Sequence, residues 1–437
     1  MEEFAAGLIG MGTSVLLPIT VIFISIGLGI SIGKALRSGL MIGASFVGID
    51  LMIEMMNQEL GPAAQAMSER FGLKLSVIDI GWQGISPMIW ASGIAVAAVP
   101  IAILINVAML LWKKTKTVNL DLWNIWHMAF TGEIVRIATG NFWCGIAGVV
   151  FHAIIVYRLG DLWAPYIQDY FELEGLTVPN GSTAYMAPYS YTIDWILDRI
   201  PGINRISLSM ERLQEKVGVL AEPVVIGWAM GSMIGLLAGY PLHEAVPLGI
   251  EMAAVMVLMP KIVKGIMEGL LPVSEKAREL LSQRFGSGEF YIGLDPSVLL
   301  GDSQVITAGL LFIPITLLIA LIIPGNRVLP FGDLATISFF IALSVAIHKG
   351  NLFRTLISGS VIMYLTIWIA NQTTPWLTEL AGTQGGYREI TALDQGGCPI
   401  TYMAAEIFTG QNVSGLLWIG IGYLFCLWFT GRNLKKK

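Results

Sequence analysis

The chain has 437 residues, of which 55% are hydrophobic and only 13% charged, with a mean hydropathy of +0.70. A soluble protein of this length carries charge on about a quarter of its residues, so the balance excludes a soluble enzyme, a nucleic-acid binder and a disordered scaffold. A net charge of −5 implies no highly charged partner, and three widely spaced cysteines (Cys144, Cys398, Cys426) exclude a disulfide framework or a zinc site. The 49 Gly and 19 Pro suit transmembrane helices, so the sequence reads as an all-α polytopic membrane protein.

Residues 4–33 form the first charge-free run. A hydrocarbon core ~30 Å thick needs ~20 helical residues, so this run can span. It lacks a basic leading region and a small-residue cleavage site, which makes it a retained helix and not a signal peptide. A second span, 38–56, holds Asp50 and Glu54. Residues 61–74 (GPAAQAMSERFGLK) alternate charged and apolar residues at helical spacing and read as an interfacial amphipathic helix. Residues 75–92 (LSVIDIGWQGISPMIWAS) are apolar arms broken by Gly, Pro and Asp, the pattern of a re-entrant hairpin, and the run continues to 112 as span 3. Spans at 117–138 (with Asp121, His127, Glu133 and Arg136) and 137–157 follow. The large hydrophilic segment, 159–216, contains an amphipathic helix near 208–217. Spans resume at 223–242 and 245–260, the latter with Glu251. A second interfacial helix (272–285) and a second hairpin (289–304) precede spans at 303–326, 334–348, 355–378 and 407–431. The total is about 11 crossings.

Eleven crossings put every basic cluster on one side: Lys34 and Arg37, Lys113 to Lys116, Lys261 and Lys264, Lys349 and Arg354, and Arg432 to Lys437. By the positive-inside bias the N-terminus is periplasmic and the C-terminus cytoplasmic, which places 159–216 in the cytoplasm. Sliding the chain by 210 residues aligns Gly39 with Gly249, Pro62 with Pro272, Glu69 with Glu279, Phe130 with Phe340, Gly140-Asn141 with Gly350-Asn351 and Pro165 with Pro375. With small gaps Asp79 aligns with Asp295 and Pro100 with Pro314. Five crossings separate equivalent points, so the two repeats are inverted. Inverted repeats with broken elements near the midplane mark alternating-access transporters.

The polar runs carry a resemblance. SPMIWAS (86–92), NIWHMAFTG (124–132), FELEG (171–175), YIGLDPSVLLG (291–301), LPFGDLATI (329–337), HKGNLFRTLISG (348–359) and DQGGCPIT (394–401) resemble the galactitol-type membrane component, the IIC subunit, of the bacterial phosphoenolpyruvate-dependent sugar phosphotransferase system. That family is related to the ascorbate transporters of the same system. The resemblance implies a homodimer in the bacterial inner membrane that works as an elevator. Its scaffold would be residues 1–60 (spans 1–2) and 217–268 (spans 6–7). Its transport domain would be 61–158 and 269–372, with a cytoplasmic loop at 159–216 and a periplasmic loop plus last span at 373–437. The resemblance also implies division of labour: this chain binds and moves the polyol, while a soluble IIB subunit, charged by IIA, supplies phosphate from a phosphocysteine. No phosphorylated residue, cofactor or metal is expected here. Cys398 stands where the family usually has Ser.

A hexitol needs carboxylates, amides and imidazoles for its hydroxyls and an aromatic face for its C–H surface. Asp79 and Asp295 occupy matching places in the two hairpins, as substrate ligands or as caps of half-helices. Trp82 offers a stacking face, or an interfacial anchor. Asn124 and His127 lie three apart on one helical face, extended by Asp121, and His348 and Asn351 repeat that spacing. The structural alternatives are packing for the histidines and a tight turn for Asn351, which follows Gly. Gln83, Asp302 and Glu133 depart from the family pattern, and the first two, in the hairpins, could tune which polyol is accepted. Asp394 and Gln395 match the DQGG motif in a loop expected to be periplasmic and read as gate or turn residues. The rival reading is an ion-coupled secondary transporter in which Asp79, Asp295 or Glu133 binds the ion. A membrane-embedded enzyme is disfavoured, because four scattered histidines supply no nucleophile–base pair.

Overall fold

A computed structural model describes residues 13–71, 75–90, 92–209, 222–285, 290–330, 332–382 and 389–434. The amphipathic helix expected near 208–217 lies almost wholly outside the described residues. Helix α1 (Thr13–Gly27) is followed by α2 (Ile32–Arg70), strand β1 (Val77–Asp79), α3 (Gly81–Trp90), α4 (Gly93–Leu111), β2 (Thr117–Asn119), α5 (Leu122–Thr139) and α6 (Phe142–Phe171). Next come β3 (Leu176–Thr177), α7 (Ala187–Leu197), α8 (Pro223–Ala238), α9 (Leu242–Phe285) and β4 (Tyr291–Gly293). The chain closes with α10 (Ser303–Ile322), β5 (Val328–Leu329), α11 (Ile337–Ile347), α12 (Leu352–Gly382), β6 (Ile390–Thr391), α13 (Pro399–Thr409) and α14 (Val413–Leu434).

Among the described residues five helices are long and apolar enough to cross a membrane: α4, α6, α10, α12 and α14. Their outer faces expose large apolar residues, such as Leu104, Ile322 and Ile421. Water would make that surface a liability, whereas hydrocarbon makes it the required one. The protein is a helical membrane protein.

Two expectations need correction. The interfacial helices at 61–74 and 272–285 are not separate elements. Residues through Arg70 continue α2 past Pro62, and 272–285 continue α9 past Pro272. Proline removes one backbone hydrogen bond and need not end a helix whose flanks are packed. Here Leu60, Ala63 and Met67, one face at helical spacing, are buried, as is Val273. The fold is also not purely α-helical. Among the described residues six strands of two or three residues form two parallel sheets, ordered β5-β1-β6 and β2-β4-β3. Val77 pairs with Val328 and Ile78 with Ile390 in the first, and Thr117 with Tyr291 and Leu176 with Ile292 in the second. Strands this short show no alternating pattern, and only the tertiary fold gives them partners. Each expected hairpin therefore begins as a central strand: β1 leads into α3, and β4 leads into a 3-10 turn at Pro296–Gly301.

Helices α1, α2, α8 and α9 pack together. The α8–α9 contact rests on Gly227, Gly231 and Gly235, spaced every fourth residue. A Cβ at Gly227 or Gly231 would sit 2.7 Å from the carbonyl oxygen of Met252 or Leu248, and one at Gly235 2.9 Å from Ala245 Cα. Small residues at this spacing let membrane helices touch backbone to backbone. The remaining helices form a second body, in which α4, α5 and α6 pack mutually, as do α10, α11 and α12. The segment 159–216 is not one hydrophilic loop. Residues 159–171 belong to α6, and 176–190 are buried without interruption in the second body. Its Asn180, Ser182, Thr183 and Ser190 are satisfied internally, which is why polar residues could be buried there.

Candidate substrate-binding site

Where the two sheets end lies a small, partly open cavity of about 50 Å³. It is lined by Phe46, Trp82, Trp123, Trp126, His127, Asn180, Ser182, Asp295, Pro296, Ser297, Phe339 and Asp394. The polar residues arrive from helix α5 and from three turns that follow β3, β4 and β6, so the sheets align the tips that meet here.

His127 is buried on α5. Its Nδ1 accepts the Gly181 backbone N–H at 3.2 Å and lies 3.1 Å from Asn180 Nδ2. A backbone N–H can only donate, so Nδ1 carries the lone pair and the imidazole proton sits on Nε2. That nitrogen faces Asp394 Oδ2 at 3.5 Å. Asp394 also accepts the Ser182 hydroxyl, and its own N–H donates to Asp333 Oδ2 at 2.7 Å. The DQGG turn that presents Asp394 is tight. Gln395 has φ +58, and a Cβ at Gly396 would collide with the Ala392 carbonyl at 2.1 Å.

Asp295 caps the 3-10 turn by accepting Ser297 N–H at 2.9 Å, and its own N–H donates to Asp121 Oδ2 at 3.1 Å. Asp121 in turn caps α5 by accepting Trp123 N–H at 2.6 Å. Trp82, Trp123 and Trp126 form the aromatic wall, edge to face at 5.1 and 5.6 Å between centroids. The indole N–H groups of Trp82 and Trp126 are buried without a protein acceptor. Two carboxylates, a hydroxyl, an amide and free indole donors around an aromatic wall suit a small, neutral, hydroxyl-rich molecule.

Of the sequence candidates, the structure brings Trp82, His127 and Asp295 into the cavity wall. Asn124 stands behind it, donating to Asn119 Oδ1 at 2.8 Å and accepting from Asn180 at 3.3 Å. Asp79 is elsewhere: its buried carboxylate accepts the backbone N–H groups of Gly81, Leu393 and Asp333 at 3.0 to 3.1 Å, the capping alternative. His348 is bound to Asp194 at 2.9 Å and Ser358 at 2.8 Å, outside the cavity. Asn351 holds the 206–208 segment through Ile206 O and Leu208 N–H. Glu133 is held by Arg136 through bonds of 2.8 and 2.9 Å. Asp302 caps α10 through Gln304 and Val305, and the Gln83 side chain lies outside the described positions.

Sequence reasoning missed Asn180 and Ser182, concealed in a stretch read as a cytoplasmic loop, and assigned Asp394 to a gate or turn. The signal for the first two was the run PNGST at 179–183, a turn of small polar residues between two apolar segments.

The sequence model of the family described as "PTS system sugar-specific permease component" matches residues 8–391. Over 437 residues the chain is 50% identical to proteins named "PTS system galactitol-specific EIIC component" from Escherichia coli strains K12 and O157:H7, spanning 99% of this chain and 97% of each relative. It is 37% identical over 435 residues to a "Putative permease IIC component" of Escherichia coli K12, spanning 98% of this chain and 99% of that relative.

Proposed function

Because the chain belongs to the sugar-specific permease components of the phosphotransferase system, we propose that it is the membrane-embedded IIC subunit of a phosphoenolpyruvate-dependent system importing a hexitol, first of all galactitol. The observation that carries this reading is the cavity. Asp295 and Asp394 accept hydroxyl protons, the indole N–H groups of Trp82 and Trp126 supply donors, and Trp82, Trp123 and Trp126 cover the C–H face. Phosphate comes from the phosphocysteine of a separate IIB subunit, itself charged by IIA. In this reading the chain translocates and carries no phosphoryl group; of its cysteines Cys398 and Cys426 are buried and Cys144 is half-buried. The product explains the direction of transport. A phosphate monoester carries nearly two negative charges near neutral pH, and two carboxylates in the wall repel it while holding the neutral polyol.

The architecture we propose has about 11 crossings, a periplasmic N-terminus and a cytoplasmic C-terminus, in a homodimer embedded in the lipid bilayer. The halves are inverted repeats. In support, residues 31–40 and 241–250 have the same sequence of exposed and buried positions, residue for residue. A Cβ at Gly39 would meet Ile22 and Pro18, and one at Gly249 would meet Ser232 and Trp228, each pair again 210 residues apart. The two sheets agree with this, since each hairpin strand lies between two strands of the other half. Helices α1, α2, α8 and α9 form the scaffold, and the body holding the cavity moves against them as an elevator. The domain limits are those drawn from the sequence, with 176–190 joining the moving body.

Uptake of labelled galactitol into proteoliposomes, with and without phosphorylated IIB inside, tests the function. The expected result is galactitol phosphate inside only when IIB is present. Accumulation of unmodified galactitol driven by a proton or sodium gradient alone overturns it in favour of a secondary transporter.

A further inference from the structure

A second concavity, a groove of about 1620 Å³, opens where β2, β4, α6, the end of α11 and the end of α14 converge. Four exposed cations line it: Lys116, Arg158, Lys349 and Arg432. The opposing carboxylates are Asp161 and Asp169. Asp161 pairs with Arg158 at 3.9 Å and accepts from Thr115, Thr117 and the Lys116 backbone N–H at 2.8 to 2.9 Å, and four cations against two carboxylates leave the groove net positive. Tyr166, Tyr170 and Tyr291 supply its aromatic floor.

The groove is joined to the cavity by two parallel strands. Lys116 and Tyr291 stand at the leading ends of β2 and β4, while Trp123 and Asp295 stand just past their trailing ends. Four residues of extended chain from Tyr291 to Asp295 cover roughly 13 Å. The face that carries the groove also carries Lys113 and Lys114, the side expected to be cytoplasmic. Lys349 is held there at φ +52, a backbone that a lysine rarely adopts and that fixes the charge at the groove's edge.

Resting on the phosphotransferase reading, we propose that this groove is the docking surface for the phosphocysteine-bearing IIB subunit. Its cations attract the phosphoryl group, whose charge approaches −2, and its strands lead from the docked donor to the polyol. An electrostatic dock of this kind governs encounter more than chemistry and weakens with salt.

The test uses the full-length protein with Lys349→Asn and Arg432→Gln, singly and together. Asparagine suits the left-handed backbone at 349, and neither residue lines the polyol cavity. Galactitol affinity, measured on each preparation, is expected to match wild type and reports correct folding. In phosphorylation assays the double variant is expected to raise the KM for phosphorylated IIB at least tenfold with little change in kcat, and to flatten the salt dependence of KM. An unchanged KM with intact galactitol binding overturns the docking proposal. Should the variants then alter dimerisation or anionic-lipid binding instead, the groove belongs to a second copy or to lipid. Absence of IIB-dependent phosphorylation in wild type refutes the phosphotransferase reading itself, and the docking proposal falls with it.

Discussion

Asp79 and Asp295 have the same credentials in the sequence and opposite surroundings in the fold, so replacing each by asparagine separates binding from folding. In Asp295→Asn the amide oxygen still accepts the Ser297 N–H, and asparagine is as good a cap as aspartate, so stability changes little. What is lost is the charge on an acceptor facing the polyol. A hydrogen bond to a charged group contributes ~1.5–3 kcal/mol and a neutral one ~0.5–1.5, so about 1–2 kcal/mol of affinity disappears. That is a rise in Kd of roughly 5- to 30-fold. In Asp79→Asn three backbone donors converge on a group with one acceptor atom and a new pair of donors. Leaving one buried N–H unpaired costs ~1–3 kcal/mol, and here an amide NH₂ must also face a donor. The expected outcome is a thermal midpoint lowered by several degrees, with near-normal galactitol affinity in the protein that remains folded. Calorimetric titration with galactitol and thermal unfolding in detergent read the two quantities. If Asp295→Asn binds as tightly as wild type, or Asp79→Asn is as stable, the division of roles is wrong.

Gly231→Leu should force α8 from α9, since even a Cβ lies 2.7 Å from Leu248 O; overpacking costs ~1–3 kcal/mol or more. Gly422→Ala, with nothing within 4 Å of the added carbon, should leave thermal unfolding unharmed, and equal loss in both would refute the contact. Galactitol phosphate should compete with labelled galactitol at least tenfold more weakly than galactitol itself, and Asp394→Asn should narrow that gap; equal competition by both would remove electrostatic product rejection. Burial opposes ionisation of Asp194, but His348 and Arg354 outweigh it and hold the carboxyl below its ordinary range. With the folded value depressed, this cluster stabilises fully above a pH of about 4 and loses its contribution as Asp194 takes up a proton in more acidic solution. The difference in thermal midpoint between wild type and Asp194→Asn should therefore be largest near neutral pH and shrink on acidification, and a difference that grows in acid would contradict the assignment.

The long apolar helices were legible because a charge-free run needs no tertiary information: 80–112 and 303–326 contain α4 and α10, and 407–431 holds all but the last three residues of α14. Continuity of α2 and α9 through proline was not, because it depends on what packs against Leu60 and Val273. Nor were the strands, whose partners lie hundreds of residues away. At the site, residue type identified His127 and Trp82 as unusual within a membrane helix or hairpin. It could not tell Asp295 from Asp79, since the number of backbone N–H groups around a carboxylate is a property of the fold. His348 went astray for the same reason: Asp194, its partner, sits 154 residues earlier.

The interleaving of the two sheets bears on how the protein is made. Strand β1 leaves the ribosome early, yet its neighbours β5 and β6 are synthesised only near the end, roughly 310 residues after Asp79 in the case of Thr391. At ~5–20 residues per second the first hairpin waits on the order of 15–60 s for its partners. Throughout that interval its backbone groups sit in or beside the bilayer without the bonds they will finally make, a costly condition in hydrocarbon. Neither half is then a viable fragment. A product truncated before Ile390 should be held by insertion factors or cleared by membrane proteases, and gene halves expressed separately should accumulate only when both are present in the same membrane.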